Sequence, residues 1–228
     1  MIKAALFDLD GVVFDTESQY SVFWGMIGKE YHPEIPDFAQ IIKGQTLVQI
    51  YDKYFSDDKI FASIDDFCSV KDEQAKITAR LDEFEQNMSY NYIAGFEDFV
   101  KDLRKNGIKC AVVTSSNIPK MLNVYQQRPE FKDYFDRVLT SEDFAKSKPN
   151  PDCYLKGADY FGVKPEECVG LEDSFNGLKA VRASGAFTLG LATTNAADAI
   201  RPYSDEVISD YIGFTFADLV KIVSLSRK

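Results

Sequence analysis

The sequence predicts an α/β fold: a doubly wound, Rossmann-like parallel-sheet core with an inserted all-helical cap domain. Two observations carry this expectation. Short apolar runs alternate with longer helical patterns, the rhythm of βαβ units whose parallel sheet is covered on both faces. One stretch after the first run breaks the alternation and reads as amphipathic helices alone. The expected core is residues 1–15 and 88–228, and the expected cap is residues 16–87.

In chain order, the first expected strand is Ala4–Phe7. Cap helices follow at Ser18–Lys29, Thr46–Phe55 and Asp65–Glu85, broken at Pro33, Pro36 and Gly44. The alternation then resumes with a helix at Phe96–Lys105, a strand at Cys110–Thr114 and a helix at Pro119–Arg128. Next come a strand at Val138–Thr140, a helix at Asp152–Phe161, a strand at Cys168–Leu171 and a helix at Asn176–Ala183. Strands at Thr188–Leu191 and Glu206–Ile208 and a helix at Phe214–Leu225 close the pattern. Asn106-Gly107 and Ser184-Gly185 mark turns. Asp15, Thr16 and Glu17, at the entry to the cap, read as the cap of its first helix.

The 228 residues exceed a typical domain of roughly 100–150 residues, which suits one ordinary core with a smaller unit attached. With 45% hydrophobic and 27% charged residues the composition is that of a globular protein. A net charge of −10 opposes nucleic acid and anionic membrane surfaces as partners. Cys68, Cys110, Cys153 and Cys168 are scattered without CxxC spacing, which argues for free thiols in a reducing compartment. Met1 to Phe7 runs into Asp8 before a signal-peptide core could form, and no segment is apolar enough to span a bilayer. The expectation is a cytoplasmic monomer.

An open parallel sheet binds ligands beyond the carboxyl ends of its strands. The first strand ends in Asp8-Leu9-Asp10-Gly11, and the second in Thr114-Ser115-Ser116-Asn117. Lys148, in Lys146-Ser147-Lys148-Pro149-Asn150-Pro151, follows the third, with prolines to stiffen its turn. Glu172-Asp173-Ser174 follows the fourth. Each piece alone reads equally as turn or helix-cap chemistry. Together they place an acid pair, hydroxyls with backbone N–H groups, a lysine and a second acid pair along one sheet edge, a set suited to phosphate.

This constellation resembles the haloacid dehalogenase superfamily, within it the subgroup of β-phosphoglucomutase, sugar phosphatases and phosphoglycolate phosphatase. Asp8-Leu9-Asp10-Gly11 resembles its first motif, Thr114 its second, Lys148 its third and Glu172-Asp173 its fourth, and the likeness spans the chain, cap included. The resemblance implies that Asp8 is the nucleophile and forms a phospho-aspartyl intermediate, with Asp10 as general acid and then base. It implies Mg²⁺ held by Asp8, the Asp10 carbonyl and Asp173, with Glu172 a ligand or its neighbour, and the oxygen-only set agrees. Lys148 would neutralise charge, and Thr114, Ser115, Ser116 and Asn117 would bind the phosphoryl group or substrate. Family members that are dehalogenases or phosphonate hydrolases lack the second acid, so Asp10 favours a phosphate ester.

The expected substrate is a small phosphorylated metabolite, a sugar phosphate or similar monoester. Lys43, Gly44 and Gln45 are candidates for a specificity loop in the cap. A phosphomutase of the β-phosphoglucomutase type is the alternative, but Leu47 and Tyr20 stand where it carries an arginine and a histidine. Inorganic pyrophosphatase and a non-catalytic binding module are further alternatives. The one histidine, His32, lies in the cap beside Pro33 and is not expected to bind metal.

Overall fold

The computed structural model describes residues 1–43, 45–62, 64, 67 and 69–226. Strands β1 (Ala4–Phe7), β2 (Lys109–Val113), β3 (Arg137–Leu139), β4 (Cys168–Glu172), β5 (Phe187–Leu191) and β6 (Glu206–Ile208) make one sheet in the order β3-β2-β1-β4-β5-β6. All neighbours are parallel. Phe7 lies opposite Val112 on one side and Leu171 on the other. Three strands therefore leave the sheet at one level, and the residues that follow them face a common space.

Side chains alternate across β1 as the strand period requires. Ala5 and Phe7 enter one apolar layer, against helices α6 (Phe96–Lys105), α7 (Ile118–Gln127) and α12 (Phe216–Ser226). Ala4 and Leu6 enter the other, against α9 (Asp152–Tyr160) and α10 (Phe175–Ser184). Phe7 meets Phe96, Phe99 and Phe135 edge to face at 5.9, 6.5 and 5.6 Å between ring centres, geometry that suits the ring quadrupoles. On the opposite layer α10 comes so near β4 that a Cβ on Gly170 would stand 2.5 Å from Val181 Cγ1.

Between β1 and β2 lie α1 (Glu17–Tyr31), α2 (Phe38–Ile41), α3 (Leu47–Tyr54), α4 (Asp58–Phe61) and α5 (Val70–Asn87). They surround an apolar cluster of their own, with Phe23, Ile27, Phe38, Phe55, Phe61 and Ile77 in it. His32 stacks on Phe38 and its Nε2 lies 2.7 Å from the Tyr54 carbonyl oxygen, so it is a packing residue. The two chain segments joining this insertion to the sheet are tied together: the Asp15 N–H donates to the Asn91 carbonyl at 2.8 Å.

The strands fall where the alternation puts them, to within one residue at an end. The closing helix starts at Phe216 rather than Phe214 because Thr215 caps it, its hydroxyl accepting from the Asp218 N–H. The third cap helix starts at Val70, after the capping Ser69; its expected start, at 65, lies outside the described residues. The single-turn helices α2, α4, α8 (Phe131–Tyr134) and α11 (Ala197–Ile200) were not expected. They are too short for a periodic signal and are pinned instead by buried Phe38, Phe61, Phe131 and Ile200. Cys110, Cys153 and Cys168 are buried free thiols, and Cys68 lies outside the described residues. Among the described residues no helix is long and apolar enough to cross a membrane.

Replacing Gly170 by Ala is expected to destabilise the fold by about 1–3 kcal/mol through overpacking. Adding Val181→Ala should return part of that loss, and urea unfolding of the two single variants and the double variant measures the coupling.

Candidate active site

Lys148 is the centre from which the site is built. Its Nζ lies 2.6 Å from Asp8 Oδ1 and 2.6 Å from Glu172 Oε1, and the residue is 1% exposed. The loop before α9 brings it there; the Lys148–Pro149 peptide is cis, and Asp152 Oδ2 accepts from the Ala145 N–H at 2.8 Å. Expected as a loop residue, the lysine is thus fully enclosed. Burial pulls its pKa down, but Asp8 and Glu172 together hold it above the ordinary lysine value.

Glu172, at the end of β4, has both oxygens occupied. Oε1 accepts from Lys148 and from the Tyr154 hydroxyl at 2.9 Å. Oε2 accepts from the N–H groups of Asp173 and Ser174 at 3.2 and 3.3 Å and from the Ser174 hydroxyl at 3.2 Å. The space it fills exists because residue 177 is glycine: a Cβ there would stand 1.9 Å from the carboxyl carbon. Ser174, rather than either acid, caps α10.

Asp173 is different. Its Oδ2 is buried and has no hydrogen-bond partner among the described residues. Burial, then the charges of Glu17, Glu172 and Asp8, push its pKa well above the usual carboxylate range. Asp8 is also raised, to about 7, by burial that outweighs the opposing pull of Lys148. Oxygens of Asp8, Glu172 and Asp173 fall within 4.8 Å of one another. A buried anion without a partner beside another carboxylate is the environment a hard divalent cation relieves. Asp8 and Asp173 fit that role better than Glu172, whose oxygens are already taken.

Asp10 faces the other side of the site. Lys120 Nζ donates to its Oδ1 and Oδ2 at 2.6 and 2.5 Å, Ser116 Oγ donates to Oδ2 at 3.1 Å, and the Thr16 hydroxyl donates to Oδ1. Thr16 therefore serves Asp10 and makes no side-chain bond to α1, contrary to the capping expectation. Lys120 is 2% exposed, its ammonium lying 4.5 Å over the Tyr20 ring, and the Tyr20 hydroxyl donates to Glu85 Oε1 at 2.7 Å.

A cavity of about 620 Å³ joins these groups. Asp8, Asp10, Thr114, Ser115, Ser116, Asn117, Lys148 and Asp173 all line it, as do Lys43 and Gln45 from the cap, while Gly44 lies outside the described residues. Ser115 Oγ is buried with no hydrogen-bond partner among the described residues. Thr114 Oγ1 accepts from the Ser116 N–H at 3.0 Å. Asn117 caps α7, its Oδ1 accepting from the Lys120 N–H at 3.0 Å. Lys43 Nζ pairs with Glu17 Oε2 at 3.4 Å, and Gln45 bonds back to the Ile41 carbonyl at 3.0 Å.

Sequence reasoning missed Lys120 and Glu85 as members of the site, and singled out Tyr20 only as the position where a mutase carries histidine. Only Lys120 carried a local signal. A lysine in the first turn of a helix opposes the helix dipole, so it calls for an anion to hold it there.

A family model described as haloacid dehalogenase-like hydrolase matches residues 2–185. The chain is 26% identical over 198 residues to β-phosphoglucomutase of Bacillus subtilis (strain 168), covering 83% of each chain. It is 26% identical over 186 residues to a phosphorylated carbohydrates phosphatase of Thermotoga maritima, covering 81% of this chain and 82% of that one. Among solved structures, a family IA, variant 3 HAD hydrolase of Entamoeba histolytica superposes with a TM-score of 0.78 at 20% identity. That alignment covers 98% of this chain and 100% of the other.

Mg²⁺ is expected to raise the melting temperature of the wild-type chain, by the equivalent of about 2.7 kcal/mol at a hundred times its Kd. Asp173→Asn should lose most of that shift, read by calorimetry with and without the ion.

Proposed function

The chain belongs to the haloacid dehalogenase-like hydrolases, and from that premise we propose that it is a Mg²⁺-dependent phosphatase hydrolysing a small phosphate monoester through a phospho-aspartyl intermediate on Asp8. The observation that carries the reading is the pairing of Asp8 with the enclosed ammonium of Lys148 beside the unpartnered carboxylate of Asp173. Bound between Asp8 and Asp173, with the Asp10 carbonyl as a third donor, Mg²⁺ would offset the repulsion between carboxylate and phosphoryl oxygens.

Lys148 holds the nucleophile by Oδ1 and supplies positive charge to the transferring oxygens. Ser115 Oγ and the Thr114 hydroxyl line the same cavity after β2, whose end lies level with that of β1, and would receive the phosphoryl group. An Asp8 oxygen attacks phosphorus and the ester oxygen departs with a proton from Asp10, which pairs with Lys120 in the free chain and takes up that proton from solvent as the substrate binds. Water, deprotonated by Asp10, then cleaves the acyl phosphate and releases inorganic phosphate, returning Asp8 as its carboxylate. Thr16, Ser116 and Lys120 keep Asp10 in place for both steps.

Hydrolysis is favoured over a mutase reaction because no arginine lines the cavity among the described residues. Tyr20, where a mutase of this family carries histidine, is committed to Glu85.

Asp8→Asn is expected to abolish Mg²⁺-dependent phosphate release from p-nitrophenyl phosphate. Retention of full activity would remove Asp8 as nucleophile. Lys148→Met should lower kcat by about 10²–10³-fold, the usual loss when a preorganised charge partner of the transition state is deleted.

A further inference from the structure

The part of the cavity beyond the phosphate end has its own chemistry. The whole wall carries six carboxylates, Asp8, Asp10, Glu17, Glu85, Glu142 and Asp173, and three lysines, Lys43, Lys120 and Lys148. Removing Asp8, Asp173 and Lys148, which serve the phosphoryl group, leaves four carboxylates against two lysines. Both of those lysines are engaged: Lys120 donates to the two oxygens of Asp10, and Lys43 pairs with Glu17. Each pair is largely withdrawn from water, with side-chain exposures of 3% and 16% for Lys120 and Asp10 and 13% and 18% for Lys43 and Glu17.

We propose that the substrate's leaving group is an uncharged, hydroxyl-bearing alcohol such as a sugar or polyol, selected through Glu85 and disfavoured when it carries a second phosphate or a carboxylate. The inference rests on the phosphatase reading and narrows it. A second anion here would face four acids, Asp10, Glu17, Glu85 and Glu142, and two lysines that are already paired. To gain a cation it would have to strip Lys120 from Asp10 or Lys43 from Glu17, leaving an enclosed carboxylate uncompensated. Hydroxyl groups meet no such penalty. They donate to carboxylate oxygens, and Glu85 in α5 offers one buried acceptor group already oriented by the Tyr20 hydroxyl. Trp24 and Phe144, also in the wall, present apolar surface for the carbon skeleton of such a group. The volume, about 620 Å³, falls within the 300–1,000 Å³ or so of small-molecule sites and leaves room for more than a phosphoryl group.

The test compares matched substrates at saturating Mg²⁺: glucose 6-phosphate with glucose 1,6-bisphosphate, fructose 6-phosphate with fructose 1,6-bisphosphate, and glycerol 3-phosphate with phosphoglycolate. The uncharged leaving group of each pair is expected to give a kcat/KM at least about tenfold higher. The bisphosphates should likewise inhibit p-nitrophenyl phosphate hydrolysis by the wild-type chain more weakly than the monophosphates, a measurement that needs no variant. Glu85→Gln should shrink the preference by about threefold or more, since it removes the repelling charge but keeps the shape. Equal or better use of the charged member of the pairs overturns the inference and leaves the phosphatase reading standing if p-nitrophenyl phosphate is cleaved. A preference unchanged in Glu85→Gln overturns the role given to Glu85. No cleavage of p-nitrophenyl phosphate or of any member of the pairs sinks the phosphatase reading, and this inference with it.

Discussion

An ammonium ion enclosed between two carboxylates is the interaction on which the site depends. Lys148 would be costly to bury alone, and so would Asp8 and Glu172. Held 2.6 Å apart, they make the arrangement tolerable, and the surrounding fold is shaped to keep them there. Glu172 needs the Asp173 and Ser174 N–H groups and the Tyr154 hydroxyl to complete its hydrogen bonds. It needs the missing side chain of Gly177 for space. Asp8 needs the strand register that brings the end of β1 level with the end of β4. The consequence is that Asp8, the proposed nucleophile, is held by charge on one side and by sheet geometry on the other.

Asp10, two residues on, is held by a different logic. Its partners come from three places: Thr16 at the entry to the helical insertion, Ser116 after β2, and Lys120 in α7. Lys120 also lies over Tyr20 of α1, which bonds Glu85 of α5. One carboxylate is thereby connected to both ends of the insertion. The Asp8–Lys148–Glu172 cluster comes from the sheet side and meets the insertion through the Lys148 loop, where Gln49 Nε2 donates to the Lys148 carbonyl at 3.4 Å. On the insertion's own side Lys43 pairs with Glu17 of α1, and the two sides of the cavity meet through the Thr16 hydroxyl on Asp10, Lys120 over the Tyr20 ring and Gln49 Nε2 on the Lys148 carbonyl.

Much of this was legible because a parallel sheet converts chain order into spatial order. Apolar runs located the strands, and the polar residues after them had to share an edge; Asp8, Thr114, Lys148 and Asp173 all line one cavity. What the sequence concealed depends on where the insertion sits. Tyr20 and Glu85 are 65 positions apart and meet only because α1 and α5 cross. Thr16 stands where a helix cap is expected, and only the structure shows its hydroxyl turned to Asp10. Glu172 and Asp173, adjacent and chemically alike, diverge because one side chain turns under the helix N-terminus, where donors saturate it, and the other keeps a buried oxygen unmatched.

That divergence bears on how so acidic a chain can hold a phosphate at all. The net charge of −10 is no guide to the site, because fields this close are set by single residues. Around the phosphate end, the Lys148 ammonium is shared by Asp8 and Glu172 and so cannot fully compensate an incoming dianion. Asp173 keeps a buried oxygen that no hydrogen bond among the described residues matches. In the proposed reaction a divalent cation would supply the positive charge that Lys148 alone cannot. The unmatched oxygen of Asp173 is the place such an ion would take. Glu172, whose two oxygens already accept from Lys148, Tyr154 and the start of α10, would stand beside that ion as the anchor of Lys148.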